Sequence, residues 1–388
     1  MNKITCRATA IPPFIVMDVM EKAQEMERAG VSIIHLEIGE PDFDTPACIV
    51  EAGRRAMAEG KTHYTHSLGI IELREAIAEY YFNRYGAVIS PENIITTAGT
   101  SPAMFMLFAA ILEANDEVII SNPHYACYPN FIRFFDSVPA FVNVDEKDGF
   151  QYRPDSIKEQ LSSRTKAVFI NSPANPTGQL LSPDRIRKIA DMSPLVVSDE
   201  IYHGLVYGQE KEHSILEFTD RAVVLNGFSK LYAMTGWRLG YIIAPPELIR
   251  PMQKIQQNFF IAANTVSQWA ALTALKEAGP DVRRMVGIYD KRRRFLIQGL
   301  RDLGFRIEVE PTGAFYILVN ARHLNRDSYA LAFDILEKVH VGVCPGIDFG
   351  TNAEGYLRFS YANSIENIDE GLNRLRKYLD TLTALKKP

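Results

Sequence analysis

The stretch Asn226-Gly-Phe-Ser-Lys-Leu-Tyr-Ala-Met-Thr-Gly-Trp-Arg-Leu-Gly-Tyr241 decides how the rest of this 388-residue chain is interpreted. It follows a short apolar run, Ala222 to Leu225, that predicts a β-strand. One lysine, Lys230, stands where this strand gives way to a loop rich in glycine, serine and threonine, and Arg238 follows it. A lysine leaving a buried strand is well placed to form a Schiff base, and the donor fork of a nearby arginine suits a phosphate.

An aldehyde to link and a phosphate to anchor are the two attachments that pyridoxal phosphate needs. Further segments stand in order around Lys230: Gly39-Glu-Pro-Asp-Phe43, Tyr64 with Gly69 to Ala76, Ala98-Gly-Thr-Ser101, Asn171 to Gly178 and Ser198-Asp-Glu-Ile-Tyr202. With the lysine segment, this ordered set resembles the class I/II pyridoxal-phosphate aminotransferases of fold type I, the aspartate aminotransferase superfamily. The resemblance covers nearly the whole chain.

Composition and charge limit the class of protein. The chain is 47% hydrophobic and carries a net charge of −5, with both signs spread along it. The local exception, Arg292 to Arg294, is interpreted as a solvated helix face, so we expect no nucleic-acid partner. No stretch reaches the roughly 20 apolar residues that span a bilayer, and Met1 to Ile11 lacks the apolar core of a secretory signal. We therefore expect a cytoplasmic protein with no membrane partner.

The cysteines are few and widely separated. They are Cys6, Cys48, Cys127 and Cys344, and none forms a CxxC pair. This spacing predicts free thiols in a reducing compartment and no metal site.

Helical and strand patterns alternate along most of the chain. Strands are predicted at Ile33–Ile38, Ile94–Thr97, Glu117–Ile120, Val138–Val144, Lys166–Ile170, Leu195–Ser198 and Ala222–Leu225. Helices are predicted from Ile15 to the stop at Gly30 and at Ile70–Tyr81, Ser101–Glu113 and Pro183–Ala190. This alternation predicts an α/β fold with a mainly parallel sheet covered by helices on both faces. Ligands of such sheets bind beyond the carboxyl ends of the strands, where the motifs fall.

The pattern changes from Asp281 onward. A basic helix is followed by predicted strands at Phe305–Glu310, Ala314–Val319 and Tyr356–Tyr361, which indicates a smaller α+β unit. The resemblance implies that the N-terminal segment folds back onto this unit. We expect a large cofactor-binding domain over residues 46–284 and a small domain built from residues 1–45 and 285–388.

Three residues carry the expected chemistry. The resemblance implies that Lys230 forms the Schiff base and, once displaced, moves a proton between substrate and cofactor. The resemblance also implies that Asp199, at the tip of an apolar strand, contacts the pyridinium nitrogen, and that Tyr202 contacts the cofactor ring oxygen. The alternatives are a surface lysine, a helix-capping aspartate and a core tyrosine.

The phosphate has several predicted contacts. Gly99, Thr100 and Ser101 lie between a strand and a helix, and amides at a helix N-terminus bind phosphate. The resemblance adds Arg238 and the hydroxyl of Ser229. It also implies that Tyr64 contacts the cofactor phosphate of a partner subunit, so that the site exists only in a homodimer.

Substrate contacts follow from the same resemblance. Tyr125 stacks on the cofactor ring, and Asn175 reaches the ring oxygen and the substrate carboxylate. Arg358 is a charge inside an apolar strand and needs an anion, which the resemblance identifies as the α-carboxylate, with backbone contact from Gly39. An internal salt bridge for Arg358 and core packing for Tyr125 are the alternatives. The nearby His124 and Tyr128 are interpreted as core residues.

The resulting hypothesis is an aminotransferase that moves an amino group between an amino acid and a 2-oxo acid. Apolar residues at 11–16, 104–110 and 259–261 favour aromatic or aliphatic donors, with glutamate and 2-oxoglutarate as the second pair. Aspartate remains open, because a partner subunit could supply the second cation it needs. A C–S lyase or decarboxylase on the same fold is the enzymatic alternative. A transcription factor is disfavoured, because the first helix begins near Pro13 and leaves no room for a DNA-binding domain.

Overall fold

The computed structural model describes residues 4–385. Its strands are β1 (Ile34–His35), β2 (Ile94–Thr97), β3 (Glu117–Asn122), β4 (Val138–Asn143), β5 (Thr165–Asn171), β6 (Val196–Asp199), β7 (Ala222–Gly227), β8 (Gly240–Ile243), β9 (Tyr316–Asn320), β10 (Val341–Gly342), β11 (Cys344–Pro345) and β12 (Tyr356–Ser360). Its α-helices are α1 (Cys6–Ala10), α2 (Ile15–Arg28), α3 (Ala47–Ala58), α4 (Ile71–Tyr85), α5 (Thr100–Ile111), α6 (Tyr128–Phe134), α7 (Pro154–Gln160), α8 (Pro183–Met192), α9 (Pro246–Phe259), α10 (Thr265–Glu277), α11 (Gly279–Asp302), α12 (Ser328–Val339) and α13 (Ile365–Leu385).

A seven-stranded sheet forms the centre of the molecule, in the order β2-β8-β7-β6-β5-β3-β4. Strand β8 is antiparallel to both of its neighbours, and the other pairs are parallel. The strands β3, β5, β6 and β7 are buried along most of their length, as expected for parallel strands covered on both faces. The predicted α/β fold with a mainly parallel sheet is confirmed.

Alternate residues of the sheet face two separate hydrophobic cores. Ile119, Val168 and Val224 belong to one core, together with residues of α4 and α8. Their neighbours Val118, Ala167 and Val223 belong to the other, together with residues of α5 and α9. Because successive side chains of a strand point to opposite faces, the sheet has helices on both sides.

The two ends of the chain meet in smaller sheets. Strand β1 pairs in parallel with β10, and β11, β12 and β9 form an antiparallel sheet. The division into residues 46–284 on one side and 1–45 with 285–388 on the other stays a prediction. Helix α11 runs continuously from Gly279 to Asp302, through the expected boundary.

Two strand predictions need correction. The predicted strand Phe305–Glu310 is wrong: its residues alternate between buried and exposed, but only Arg306 bridges to a neighbour. The Phe305 N–H donates instead to the carbonyl of Leu300 at the end of α11. The strand predicted at Ile33–Ile38 shortens to Ile34–His35, and the carbonyls that follow accept from active-site side chains described below.

The interpretation of Arg292 to Arg294 as a solvated face is also wrong for two of the three residues. Arg292 is buried and pairs with Asp42 at 2.8 Å, and Arg293 is buried and pairs with Asp290 at 2.8 Å. Only Arg294 is largely exposed. The partner Asp42 is distant in sequence, so a helical pattern alone gives no sign of it.

The structure can be compared with the expectations for the cysteines and for membrane-spanning helices. Cys48, Cys127 and Cys344 are free thiols, while the side chain of Cys6 lies outside the described part of the structure. Among the described helices, none is both long and apolar enough to cross a membrane.

Candidate active site

A cavity of about 570 Å³ opens at the carboxyl ends of the parallel strands. Most of the residues singled out from the sequence line it together: Gly39, Thr100, Ser101, Tyr125, Asn175, Asp199, Tyr202, Ser229, Lys230, Arg238 and Arg358. Gly99 lies directly before this lining at the start of α5. Tyr64 lies elsewhere, with a side chain that is 82% exposed.

Lys230 stands three residues beyond the end of β7, with its amine in the cavity. Its Nζ donates to the Gly39 carbonyl at 2.7 Å. The pKa of Lys230 is lowered to about 8, mainly by burial; the Arg358 and Arg238 charges contribute to this lowering, and the Glu40 and Asp199 carboxylates oppose it. A substantial neutral fraction of this amine is therefore present near neutral pH, as a nucleophile or base requires.

Gly39 allows the close approach of Tyr316 because it has no side chain. A Cβ at this position would lie 2.6 Å from the hydroxyl oxygen of Tyr316. That hydroxyl lies 3.0 Å from the hydroxyl of Tyr202. The two tyrosines and the Gly39 backbone thus form one packed unit beside the lysine.

Asp199 ends β6 and is buried. One carboxylate oxygen accepts from the Tyr128 hydroxyl at 2.7 Å, and the other accepts from the Ile201 N–H at 3.1 Å. Burial raises the pKa of Asp199 to about 6, although both hydrogen bonds act in the opposite direction. A cationic partner inside the cavity would relieve the cost of this buried carboxylate.

Arg358 lies in the middle of β12 and is 2% exposed. One terminal nitrogen, Nη1, donates to Asn175 Oδ1 at 2.9 Å, and the other, Nη2, donates to the Glu37 carbonyl at 2.6 Å and to Cys344 Sγ at 2.9 Å. Within residues 4–385, no carboxylate forms an ion pair with it, which excludes the internal salt bridge considered above for that part of the chain. A buried arginine without a counter-ion indicates an anionic ligand.

Aromatic rings hold the Arg358 guanidinium in place. Its central carbon lies 4.3 Å from the ring centre of Tyr316 and 4.8 Å from that of Phe349. Stacked contacts of this kind favour arginine over lysine, since the planar cation covers the ring.

The loop after β5 supports both sides of the site. Asn171 accepts from the Asn175 N–H at 2.8 Å and donates to the Asp199 carbonyl at 2.9 Å. Asn171 thus tethers the loop to the end of β6, which leaves Asn175 to contact Arg358. These bonds give Asn171 a structural role in the loop.

The start of α5 forms a cradle for an anion. Gly99 has a φ of 99° and makes no side-chain cap, and the first turn carries no acidic residue. A Cβ on Gly99 would lie 2.8 Å from Nη2 of Arg238, so this guanidinium lies against the helix N-terminus. Free amides, a helix dipole and a guanidinium converge there, together with the hydroxyls of Thr100 and Ser101.

Part of the cavity wall is apolar. Phe14, Val16, Met17 and Met20 of the α2 region line it together with Met104 of α5. The rings of Phe14 and Tyr125 meet edge to face at 5.9 Å. A substrate side chain that reaches this wall meets hydrocarbon and thioether groups.

Two site residues escaped the sequence analysis as functional groups. Tyr128, interpreted as a core residue, is buried, but its hydroxyl donates to Asp199. The hydroxyl of Tyr316 is hydrogen-bonded to that of Tyr202 and packs against Gly39. Tyr128 stands three residues after Tyr125, which is a weak signal, because a buried tyrosine in an apolar strand or helix usually packs. For Tyr316, its position at the start of a predicted strand gave no hint of the contact.

Comparisons with known proteins agree with this arrangement. The model of the family aminotransferase class I and II matches residues 31–375. A (5-formylfuran-3-yl)methyl phosphate transaminase of Methanocaldococcus jannaschii is 45% identical, over 95% of this chain and 97% of its own. An aspartate/prephenate aminotransferase of Thermus thermophilus is 39% identical, over 98% and 99%.

Solved structures of aminotransferases have the same fold as this chain. An aminotransferase from Mycobacterium tuberculosis superimposes with a TM-score of 0.94 at 34% identity, covering 98% of this chain and 100% of its own. The aspartate aminotransferase from Thermus thermophilus with maleate gives 0.93 at 38% identity, covering 97% and 100%.

The chain therefore belongs to the class I and II aminotransferases and is an aminotransferase. The resemblance drawn from the sequence is confirmed, and the prediction of a transaminase is preferred over a lyase or decarboxylase. The family uses pyridoxal phosphate and acts on amino acids and oxo acids.

Proposed function

We propose that this aminotransferase holds pyridoxal phosphate in the 570 Å³ cavity and transfers amino groups from amino acids with aromatic or aliphatic side chains. When bound, the cofactor supplies an aldehyde for an amine and a ring that accepts electrons from the substrate carbon. The observation that carries the proposal is that one cavity contains three distinct features: an anion-binding cradle at Arg238, the buried carboxylate of Asp199 and the buried amine of Lys230.

Each of these three features fits one part of the cofactor. The α5 N-terminus with Arg238, Thr100, Ser101 and Ser229 suits the phosphate. The buried carboxylate of Asp199 suits a protonated ring nitrogen, because that cation would favour its ionised form. Tyr202 and Asn175 offer polar groups for the ring oxygen, and Tyr125 offers an aromatic face.

Lys230 is the group we assign to proton transfer at the substrate α-carbon. Its pKa of about 8 leaves a useful neutral fraction for accepting a proton and a protonated fraction for returning one. The Gly39 carbonyl, at 2.7 Å, fixes the amine in place. Arg358 binds the α-carboxylate as a charge-assisted pair, and Asn175 supports that arginine.

The preference for apolar donors rests on the charges of the lining. The cations that the structure places around the cavity, in the part of the chain it describes, are Lys230, Arg238 and Arg358, and each already has a role. A second substrate carboxylate directed at Met17, Met20 and Met104 would be left unpaired, at a cost of several kcal/mol. Glutamate with 2-oxoglutarate as the second pair stays a prediction.

Homodimerisation is part of the proposal. The exposure of Tyr64 supports a role toward a second copy of the chain, since its side chain lies outside the cavity of its own chain. Phe259, at the end of α9, is likewise 70% exposed. A cytoplasmic location is proposed as well.

The test is a half-reaction. Purified protein loaded with pyridoxal phosphate is mixed with phenylalanine, leucine, methionine, glutamate or aspartate, one at a time and without an acceptor. We expect loss of the absorption band of the lysine-bound cofactor and release of the matching 2-oxo acid, fastest with the apolar donors. Aspartate as the fastest donor would contradict the substrate class. Sustained release of ammonia with 2-oxobutyrate and methanethiol from methionine, or of carbon dioxide from any donor, would contradict transamination by this chain.

A further inference from the structure

The first turn of helix α2 is capped from the far end of the chain. Phe14 precedes the helix and provides no side-chain hydrogen bond to it. Instead, the N–H of Ile15 donates to Asp348 Oδ1 at 3.0 Å, and the N–H of Val16 donates to Asp348 Oδ2 at 3.2 Å. The first amides of a helix have no partner within it, so this carboxylate supplies one for each of two amides.

Asp348 lies in a turn that also contacts the rest of the substrate site. The turn, Gly346–Phe349, follows β11, where Cys344 stands opposite Arg358 in the sheet register. The ring of Phe349 lies 4.8 Å from the Arg358 guanidinium, and its carbonyl accepts from the His124 N–H at 2.9 Å. One short turn therefore connects the carboxylate-binding arginine, the loop that carries Tyr125, and helix α2.

The capped helix is the one that carries the apolar wall. Phe14, Val16, Met17 and Met20 line the cavity, and Val16 donates one of the two capping bonds. Asp348 itself is buried and does not line the cavity. Asp348 therefore does not contact the substrate directly, and its two hydrogen bonds to Ile15 and Val16 connect it to the apolar wall through α2.

We propose that Asp348 is a positioning residue that sets the apolar wall of the substrate site by capping α2. This inference rests on the proposed function for its choice of substrates. It predicts that the carboxylate matters for donors whose side chains reach the wall and not for donors that stop short of it. Leucine and alanine differ in this way while sharing the same α-carboxylate and α-amino groups.

The decisive variant is Asp348→Asn, which keeps the size of the side chain but turns one acceptor into a donor. We expect KM for leucine to rise about fivefold. This is the change expected if the free energy of one lost helix cap is subtracted from the binding of leucine. KM and kcat for alanine should stay close to those of the unaltered protein. Asp348→Glu should restore part of the leucine KM, because it keeps both acceptor oxygens.

Asp18→Asn is the matched control, since Asp18 lies in the first turn of the same helix. It removes a carboxylate without removing a capping bond to Ile15 or Val16, and should leave the ratio of the leucine KM to the alanine KM unchanged. A combination with Phe14→Ala adds a second check. If Asp348 acts through the wall, its effect on leucine should shrink when the wall is already truncated.

Amide hydrogen exchange gives a readout that is independent of turnover. Asp348→Asn should speed exchange at Ile15 and Val16 and leave the strands of the large sheet unchanged. Unchanged exchange there would overturn the positioning role by itself. An equal rise of KM for leucine and alanine would also overturn it, by assigning Asp348 to Arg358 instead. If the unaltered protein transaminates neither donor, the failure lies with the proposed function, and the exchange rates still decide the role of Asp348.

The unaltered protein provides a test that needs no variant. Burial raises the pKa of Asp348 to about 6, and a protonated oxygen is a weaker acceptor for a helix amide. Asp18, Cys127, Cys344 and Arg358 also act on this group electrostatically. Near pH 6 both thiols stay neutral and the arginine stays positively charged, so these groups do not titrate in this range. The Asp18→Asn variant is the control for the remaining carboxylate.

The ratio of the leucine KM to the alanine KM should therefore rise as the pH falls from about 7.5 to about 5. Titration of Lys230, Asp199 and the donor amine affects both substrates and cancels in the ratio. A ratio that stays flat over this range would contradict the inference.

Discussion

The two sides of the cavity are built in different ways. The part of the cavity that we propose to hold the cofactor is called the cofactor side, and the part that we propose to bind the substrate is called the substrate side. On the cofactor side, Asn171 and Asp199 end neighbouring parallel strands and stand opposite each other in the register, and Lys230 follows the next strand. On the substrate side, Gly39, the α2 region and Arg358 come from opposite ends of the chain. The capping bond from Ile15 to Asp348 spans 333 residues of sequence.

This difference has a physical consequence. The groups of the cofactor side are held by the hydrogen-bond ladder of one sheet, which is buried between two cores and resists local change. The groups of the substrate side come from separate elements: Arg358 lies in the smaller sheet of β9, β11 and β12, and a few hydrogen bonds and ring contacts join it to the Glu37 backbone and to Phe349. We therefore expect mutations on the first side to abolish chemistry, and mutations on the second side to change which substrate binds and how tightly.

The largest effect should come from Lys230→Ala, which removes the chemical centre of the cofactor side. We expect no absorption band of lysine-bound cofactor and a loss of turnover of about 10⁴-fold, at the upper end of what one acid–base group supplies. Lys254→Ala, at an exposed position of α9, is the control and should behave as the unaltered protein. Survival of the band in Lys230→Ala would refute the assignment of the lysine.

Arg358→Ala tests the substrate side at its strongest contact. Loss of a buried charge-assisted pair costs 2–5 kcal/mol, so we expect KM to rise about 100-fold for every amino acid donor. Arg358→Lys should recover only part of this, because an ammonium cannot reproduce the donor fork or the stacking on Tyr316. Steady-state kinetics with several donors measures the effect; an increase limited to one donor would indicate a side-chain role instead.

Tyr128→Phe weakens the cofactor side without touching the lysine. It removes one hydrogen bond to a carboxylate, which is worth about 1.5–3 kcal/mol, so the affinity for pyridoxal phosphate should fall about tenfold or more. Because that bond lowers the pKa of Asp199, its loss should raise this pKa above about 6. The carboxylate then becomes protonated at a higher pH, and the pH below which cofactor is lost should move upward.

Cofactor titration at several pH values checks this prediction. Tyr152→Phe is a matched control, since its hydroxyl is also buried but donates to the Phe169 carbonyl. An equal loss of affinity in both variants would mean that Tyr128 acts through general packing and not through Asp199.

The smallest expected effect concerns the pH dependence of Lys230. The neutral amine is the nucleophile, and it dominates above its pKa, so incorporation of pyridoxal phosphate into cofactor-free protein should speed up as the pH rises. The midpoint should lie at about 8, below the ordinary lysine value of 10.5. Stopped-flow absorbance measures this rate. A midpoint near the ordinary value would mean that the lysine is more hydrated than its burial indicates.

The quality of the sequence-based prediction follows the same division. Strand β2 was predicted to the residue, and Lys230, Asp199 and Asn175 were singled out because each stands at the end of an apolar strand or shortly after it, in a family-like segment. The predicted strand at Phe305–Glu310 failed, because alternation of apolar and polar residues does not reveal whether a neighbouring strand is present. The roles of Tyr128 and Tyr316 were missed because their patterns match those of ordinary core tyrosines.

The sequence alone determined the α/β fold, the family and most of the residues of the cofactor side. It could do so because strand periodicity and the motif after each strand are local properties, and parallel strands bring their carboxyl ends to one edge. The tertiary structure decided that Arg358 is buried beside Asn175, with no carboxylate partner among residues 4–385, and that Asp348 caps α2. These contacts join residues far apart in the chain, and only packing of the two chain ends brings them within hydrogen-bond distance.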